Sequence, residues 1–219
     1  MDKTKVISFS LWGSSSKYCV GAVRNAELSQ SIYPGWRCRF YIANSVPDIY
    51  IKELQQFDNV DIVQRLQESG SWESMFWRHE TCWDESVSVS IFRDTDCRLN
   101  SREKCAVDQW LQSDKTFHIM RDHPFHGYHI LGGMWGYKYN SKYNLKEAFE
   151  KFKPQDHYGT DYIFFRDILF PLIKDDKITH DEFFEKKPFP VKRNNNEFVG
   201  EVYDEKDIRH PDHYRYINQ

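Results

Sequence analysis

Four short apolar runs, each set apart from the next by a helix-like stretch, constrain this chain more than any other feature. Residues 5–11 (KVISFSL), 37–43 (RCRFYIA), 60–66 (VDIVQRL) and 86–92 (SVSVSIF) read as strands. Between them, residues 17–31, 47–57 and 72–83 carry helical patterns. The first is stopped by Pro34-Gly35, and the second has proline in its first turn. Regular alternation of this kind implies an α/β fold built on a largely parallel central sheet flanked by helices. The fourth run has β-branched residues on one face and serines on the other, which places it centrally between close-packed neighbours.

The second half continues less regularly. A helix is expected over 102–112, strands near 117–120 and over 129–138, helices over 145–152 and 161–173, and a short strand over 177–180. Residues 1–219 are expected to form one domain, with the polar stretch 188–219 as an irregular segment packed on it. Asn194-Asn195-Asn196 is a turn signal there.

Composition removes several classes. Aromatic residues make up 16 % of the chain, and charged residues of both signs make up 29 %. That is not the signature of a disordered chain. The net charge of -3 offers no basic field for a nucleic-acid partner. No apolar run approaches the roughly 20 residues of a membrane span, and the strand-like N-terminus lacks a cleavage region. Five cysteines (Cys19, Cys38, Cys82, Cys97, Cys105) form no CxxC pair, and the expectation is reduced thiols in a cytoplasmic protein. Neither GxxxxGK[ST] nor GxGxxG occurs, which excludes nucleotide binding through those loops.

The sharpest chemical feature is Arg93-Asp94-Thr95-Asp96 directly after the fourth strand. Two carboxylates at i and i+2 past a buried strand's carboxyl end lie where α/β sheets bind ligands. Hard oxygen ligands at that spacing suit Mn²⁺ or Mg²⁺, which in turn can hold a diphosphate. The alternative is a solvated turn, with Arg93 and Arg98 neutralising the two aspartates. Gly132-Gly133-Met134-Trp135-Gly136 permits close approach of backbone to a ligand, or marks a bulge or tight turn. Gly159-Thr160-Asp161 opens an apolar helix, and Asp161 is either a carboxylate facing a cleft or, like Thr160, a cap. His123, His126 and His129 are interrupted by Pro124 and Gly127, which argues against a zinc site. His180 is a lone histidine at the end of a short strand. Lys192-Arg193 is a solvated basic pair, or a clamp if a diphosphate lies beside it.

The segments 91–111 (IFRDTDCRLNSREKCAVDQWL), 119–138 (IMRDHPFHGYHILGGMWGYK), 159–173 (GTDYIFFRDILFPLI) and 189–207 (FPVKRNNNEFVGEVYDEKD) together resemble one family. It is the GT-A-type, nucleotide-sugar-dependent glycosyltransferases of bacteria and large DNA viruses, chlorella viruses that glycosylate their capsids among them. The resemblance covers nearly the whole chain and implies a GT-A-like sheet. It also implies transfer of a sugar from a nucleotide sugar, a UDP-sugar, to a glycan or glycoprotein acceptor, with retention of anomeric configuration. By the same resemblance, the nucleotide-sugar site takes in Ser10, Leu11, Trp12, Tyr18, Arg78, Asp94, Thr95, Asp96, Gly132, Gly133, Lys192 and Arg193. Asp161 is the implied catalytic carboxylate. Asp94, Asp96 and His180 are the implied ligands of Mn²⁺ or Mg²⁺. One departure stands out: the family's late histidine usually precedes a glycine and a lysine, whereas Asp181-Glu182 follow His180 here. If the protein is viral, the expected location is the host-cell cytoplasm. Trp135 and Tyr137 are candidates to stack on sugar faces, with burial in the core as the alternative. The competing functional readings are a Mg²⁺-dependent haloacid-dehalogenase-like phosphatase, with Asp175-Asp176 as its later acidic pair, and a non-catalytic carbohydrate-binding module.

Overall fold

The computed structural model describes residues 3–218. The strands are β1 (Thr4–Leu11), β2 (Arg37–Ala43), β3 (Val60–Arg65), β4 (Val87–Phe92), β5 (Phe117–Arg121), β6 (Trp135–Lys138) and β7 (Lys177–Asp181). They form one sheet in the order β3-β2-β1-β4-β6-β5-β7. β6 alone runs antiparallel to its neighbours β4 and β5. The other pairings are parallel. The sheet is therefore the expected mixed, mostly parallel one, with β4 at its centre. The carboxyl ends of β1, β4, β5 and β7 all reach the same edge.

The first strand shows how its sequence divides the molecule. Ile7, Phe9 and Leu11 pack into a core shared with α1 (Ser16–Ile32) and β2, where Phe9 stacks on Phe40 with centroids 4.7 Å apart. Ser8 and Ser10 serve the other face, against a 3-10 helix over Trp72–Trp83. Ser8 Oγ donates to the Arg78 carbonyl at 2.7 Å, and Ser10 Oγ accepts from the Arg78 amide at 3.1 Å. These strand hydroxyls bind backbone groups that an α-helical ladder would otherwise occupy. The expected helix at 72–83 is accordingly tightened to 3-10 geometry and fastened to the sheet. A second core gathers Phe92, Phe117, Trp135, Phe149, Phe164 and Phe165 on this side. Each such fully buried side chain contributes about 1.5 to 3 kcal/mol.

Two expected elements are interrupted. The strand over 129–138 begins only at Trp135, because the glycines before it arch across the sheet edge. The helix over 161–173 divides into α5 (Thr160–Phe164), a π-helical turn over Phe165–Leu169 and α6 (Phe170–Ile173). Pro171 lacks the amide that an α register would need there, and a widened turn absorbs the defect. The late polar segment packs back through buried Phe198 and Val199. It then pairs Val202 with Cys97 as an isolated antiparallel bridge.

Candidate active site

A cavity of about 640 Å³ opens at the carboxyl edge of the sheet. That volume suits a small-molecule ligand. β1 delivers Ser10, Leu11 and Trp12 to its wall, and β4 delivers Asp94, Thr95 and Asp96. Tyr18 of α1, Arg78 of the 3-10 helix, Gly132-Gly133 before β6 and Asp161 of α5 complete it. The structure therefore brings eleven of the residues singled out above around one space.

Arg78 is the hinge of the charge arrangement. Its side chain is 5 % exposed and donates through Nη1 to Asp94 Oδ1 at 2.5 Å and to the Arg93 carbonyl at 3.0 Å. Its Nε is buried without a hydrogen-bond partner. Gly132 and Gly133 pass directly over these groups. A Cβ on Gly132 would lie 2.4 Å from Asp161 Oδ2 and 2.8 Å from Arg78 Nη2, and one on Gly133 would lie 2.0 Å from Asp94 Oδ2. A side chain at either position would displace these charged groups, so the glycine pair lets backbone lie against them as they stand. Burial pushes the Asp161 carboxyl up to about 6; Arg78 opposes the rise and Asp94 adds to it. Asp161 sits just inside α5, whose N-cap is Gly159, and the amides of Asp161 and Tyr162 pull its pKa down against the rise. Thr160 Oγ1 accepts from the Gln155 amide at 2.8 Å and ties down the preceding loop.

The Asp96 side chain is 13 % exposed, and its partial burial together with the charge of Asp94 raises its pKa. Its partner is Lys17, with Nζ 2.7 Å from Oδ2. The loop that carries both aspartates is held from behind by α1. Asn25 Nδ2 donates to the carbonyls of Thr95 at 3.2 Å and Cys97 at 2.8 Å, while its Oδ1 accepts from the Leu99 amide at 3.0 Å. Gly21 gives the room, since a Cβ there would meet the Thr95 carbonyl oxygen at 2.0 Å. From the front, the Tyr203 amide donates to the Asp96 carbonyl at 2.9 Å. Gly200 and Val202 of the late segment also line the cavity.

Several expected placements are corrected. His180 lies on β7, three strands from β4, which is roughly 14 Å at ordinary strand spacing. Its Nδ1 meets His118 Nε2 at 2.7 Å and its Nε2 meets Gln109 Oε1 at 2.8 Å, so neither ring nitrogen faces the aspartates. Burial and then Arg102 lower its pKa to about 4. Arg193 is ion-paired with Asp122 and also donates to the Asp122 carbonyl at 3.2 Å; Lys192 is exposed, and neither lines the cavity. Trp135 and Tyr137 are buried core side chains, because alternate β6 residues face the packed interior rather than the mouth. Arg93 pairs with Glu103 and Arg98 with Asp207, so the flanking arginines do not neutralise Asp94 or Asp96. Asp176 accepts from the Thr116 amide at the opposite, amino edge of the sheet, away from Asp94. His123 and His126 accept from the amides of Phe125 and Asp122, and His129 stacks on Phe170.

Sequence reasoning missed Lys17, Asn25 and the rings of Trp72, Tyr158 and Tyr162, which join the expected Trp12 in an aromatic lip. Lys17 had a signal: it follows the first strand by only a short serine loop, so it must return to the edge where Asp96 lies. Asn25 had none, because an asparagine inside a helix carries no mark of a partner seventy residues away.

The donor set fits a hard divalent cation. Asp94 and Asp96 present carboxylate oxygens to one cavity, and their mutual repulsion is eased by the ion pairs Asp94–Arg78 and Asp96–Lys17. No cluster of three or more His, Cys, Asp or Glu side chains poised for a metal occurs among the described residues. The protein therefore offers two carboxylates, and a bound diphosphate would have to supply further oxygens.

The strand order, the single antiparallel strand and the cavity at the carboxyl edge together define a GT-A-type fold. Among solved structures, a glycosyltransferase involved in glycosylation of the major capsid of PBCV-1 shares it with a TM-score of 0.54 and 14% identity, over 85% of this chain and 90% of that one. The 4-diphosphocytidyl-2C-methyl-D-erythritol synthase of Anaerococcus prevotii does so at 0.52 and 12%, over 88% and 92%. The mannosyltransferase PcManGT of Pyrobaculum calidifontis, solved with GDP-Man and Mn²⁺, does so at 0.53 and 12%, over 82% of this chain and 55% of that one. No protein-family model and no curated protein matches the sequence. No helix among the described residues is long and apolar enough to cross a membrane.

Proposed function

We propose that the chain, acting as one catalytic domain, transfers a sugar from a nucleoside-diphosphate sugar, a UDP-sugar, to a glycan or glycoprotein acceptor. The observation that carries this reading is the convergence of Asp94, Asp96, Arg78 and Asp161 beneath the Gly132-Gly133 arch in one cavity. Asp94 and Asp96 would hold Mn²⁺ or Mg²⁺, which when bound supplies charge neutralisation to the leaving diphosphate. Arg78 fixes Asp94 in place and adds a buried positive charge beside it. Asp161 sets a carboxylate near the reacting sugar, where it stabilises the positive charge that develops at the anomeric carbon. Its pKa of about 6 leaves it ionised at neutral pH. Tyr18 and the aromatic lip offer ring faces for the base and for sugar rings.

The phosphatase reading is not favoured, since its nucleophile belongs after the first strand and Asp175-Asp176 occupy the other sheet edge. A pure carbohydrate-binding module would have no use for paired carboxylates under a glycine arch. The test is a screen of UDP- and GDP-sugars with Mn²⁺, scored by release of nucleoside diphosphate in the presence of glycan acceptors. Release from a UDP-sugar is expected. Release of inorganic diphosphate from a nucleoside triphosphate instead would overturn the reading in favour of nucleotidyl transfer.

A further inference from the structure

The two cavity aspartates have unlike partners. Arg78, on Asp94, is 5 % exposed and also bound to a main-chain carbonyl, so it cannot leave without breaking buried contacts. Lys17, on Asp96, is 33 % exposed, and among the described residues no other hydrogen bond holds its ammonium. Its Nζ lies 5.1 Å from the centroid of the Tyr18 ring, which lines the cavity. Its backbone is fixed, because Gly21 and Asn25 lock α1 against the aspartate loop. Only the flexible four-carbon stem is left to move. Lys17 also violates a local rule. It occupies the first turn of a 17-residue helix with no acidic residue in that turn, where the helix dipole disfavours a cation. Departures of this kind concentrate at functional sites.

We infer that Lys17 is an exchangeable cation. It neutralises Asp96 while no divalent ion is bound, and it turns to the donor's diphosphate when an ion takes the Asp96 oxygens. This rests on the metal-assisted transferase reading above. Its consequence is cooperativity beyond direct coordination: the ion releases an ammonium that the nucleotide then uses, so each ligand favours the other.

The experiment measures the Mn²⁺ dissociation constant, by calorimetry or the electron-spin signal of the unbound ion, with and without UDP. Wild type, Lys17→Met and Lys17→Arg are compared. In Lys17→Met, nucleotide-free Mn²⁺ binding should tighten about two- to fivefold, because a half-exposed competing ion pair is gone. The tightening of Mn²⁺ caused by UDP should shrink about tenfold in the same variant, and Lys17→Arg should retain most of it. Structural damage would weaken both constants and cannot move them in opposite directions. If wild type binds both ligands and Lys17→Met keeps the wild-type coupling, the inference alone is overturned. If wild type binds neither, the metal-assisted reading fails and takes this inference with it.

Discussion

Three strands lead into an aspartate at the same edge of the sheet, and the fates of these carboxylates differ. Asp122, after β5, is fully buried and saturated: Arg102 donates twice at 2.8 and 2.9 Å, the Val199 amide donates at 2.9 Å, and Arg193 adds an ion pair. Asp181, ending β7, accepts from the amides of Phe183, Phe184 and Glu185 and pairs with Arg121 at 2.7 Å. Asp94, after β4, has Arg78 as its one side-chain partner among the described residues and leaves 47 % of its side chain exposed. Sequence position does not separate these carboxylates; the supply of donors does. A carboxylate whose lone pairs are all taken holds the fold. One left short of donors beside a cavity retains oxygens for a ligand.

The saturated side should break hardest. Asp122→Ala removes the partner that Arg102 and Arg193 share, leaving Arg102 with Glu182, and removing one member of a buried pair costs about 3 to 5 kcal/mol. Chemical denaturation should register that loss; a change under about 1 kcal/mol would mean the network is ornamental. Asp161→Asn should behave oppositely. An aspartate whose folded pKa is raised destabilises the fold as the unfolded chain ionises near its ordinary value, and the cost is complete above about 6. The asparagine variant should therefore gain roughly 2 to 3 kcal/mol of stability at pH 8 and lose that gain below about pH 4, while transfer is abolished. In wild type, kcat/KM should climb as pH passes about 6. Lower stability with activity retained in Asp161→Asn would return the residue to a purely structural role. Arg78→Ala should weaken UDP binding by about tenfold to a hundredfold, through loss of a charge-assisted contact and of the support under Asp94. An unchanged UDP dissociation constant would remove Arg78 from the site.

The parts of the fold set by local periodicity were legible in the sequence. β2 (Arg37–Ala43) lies where its apolar run lies, and the serine-faced β4 occupies the centre of the sheet. What was not legible came from groups distant in sequence. The Ser8 and Ser10 hydroxyls hold the backbone of an expected α-helix that is a 3-10 helix, and Gly132-Gly133, expected within a strand, instead pass close over the Asp94 and Asp161 carboxylates before β6 begins. The same limit governed the site. Asp94 and Asp96 were visible as a pair after a strand, and the glycines were visible as glycines. The histidine was misplaced because a strand-end position does not reveal that β7 lies at the far side of the sheet, with Gln109 and His118 taking both ring nitrogens. The clamp role fails for Arg193 for the same reason, Asp122 being its unseen partner, while Lys192 is exposed, as a solvated residue is.

The proposed role of Asp94 and Asp96, short of donors, is to bind a divalent ion together with a nucleoside diphosphate. Titration of UDP into the protein with Mn²⁺, repeated in excess EDTA, separates that role from a structural one. UDP should bind with Mn²⁺ and chelation should weaken it by at least about tenfold, with Asp94→Asn and Asp96→Asn resembling the chelated wild type. Equal UDP affinity with Mn²⁺ and with EDTA would contradict it.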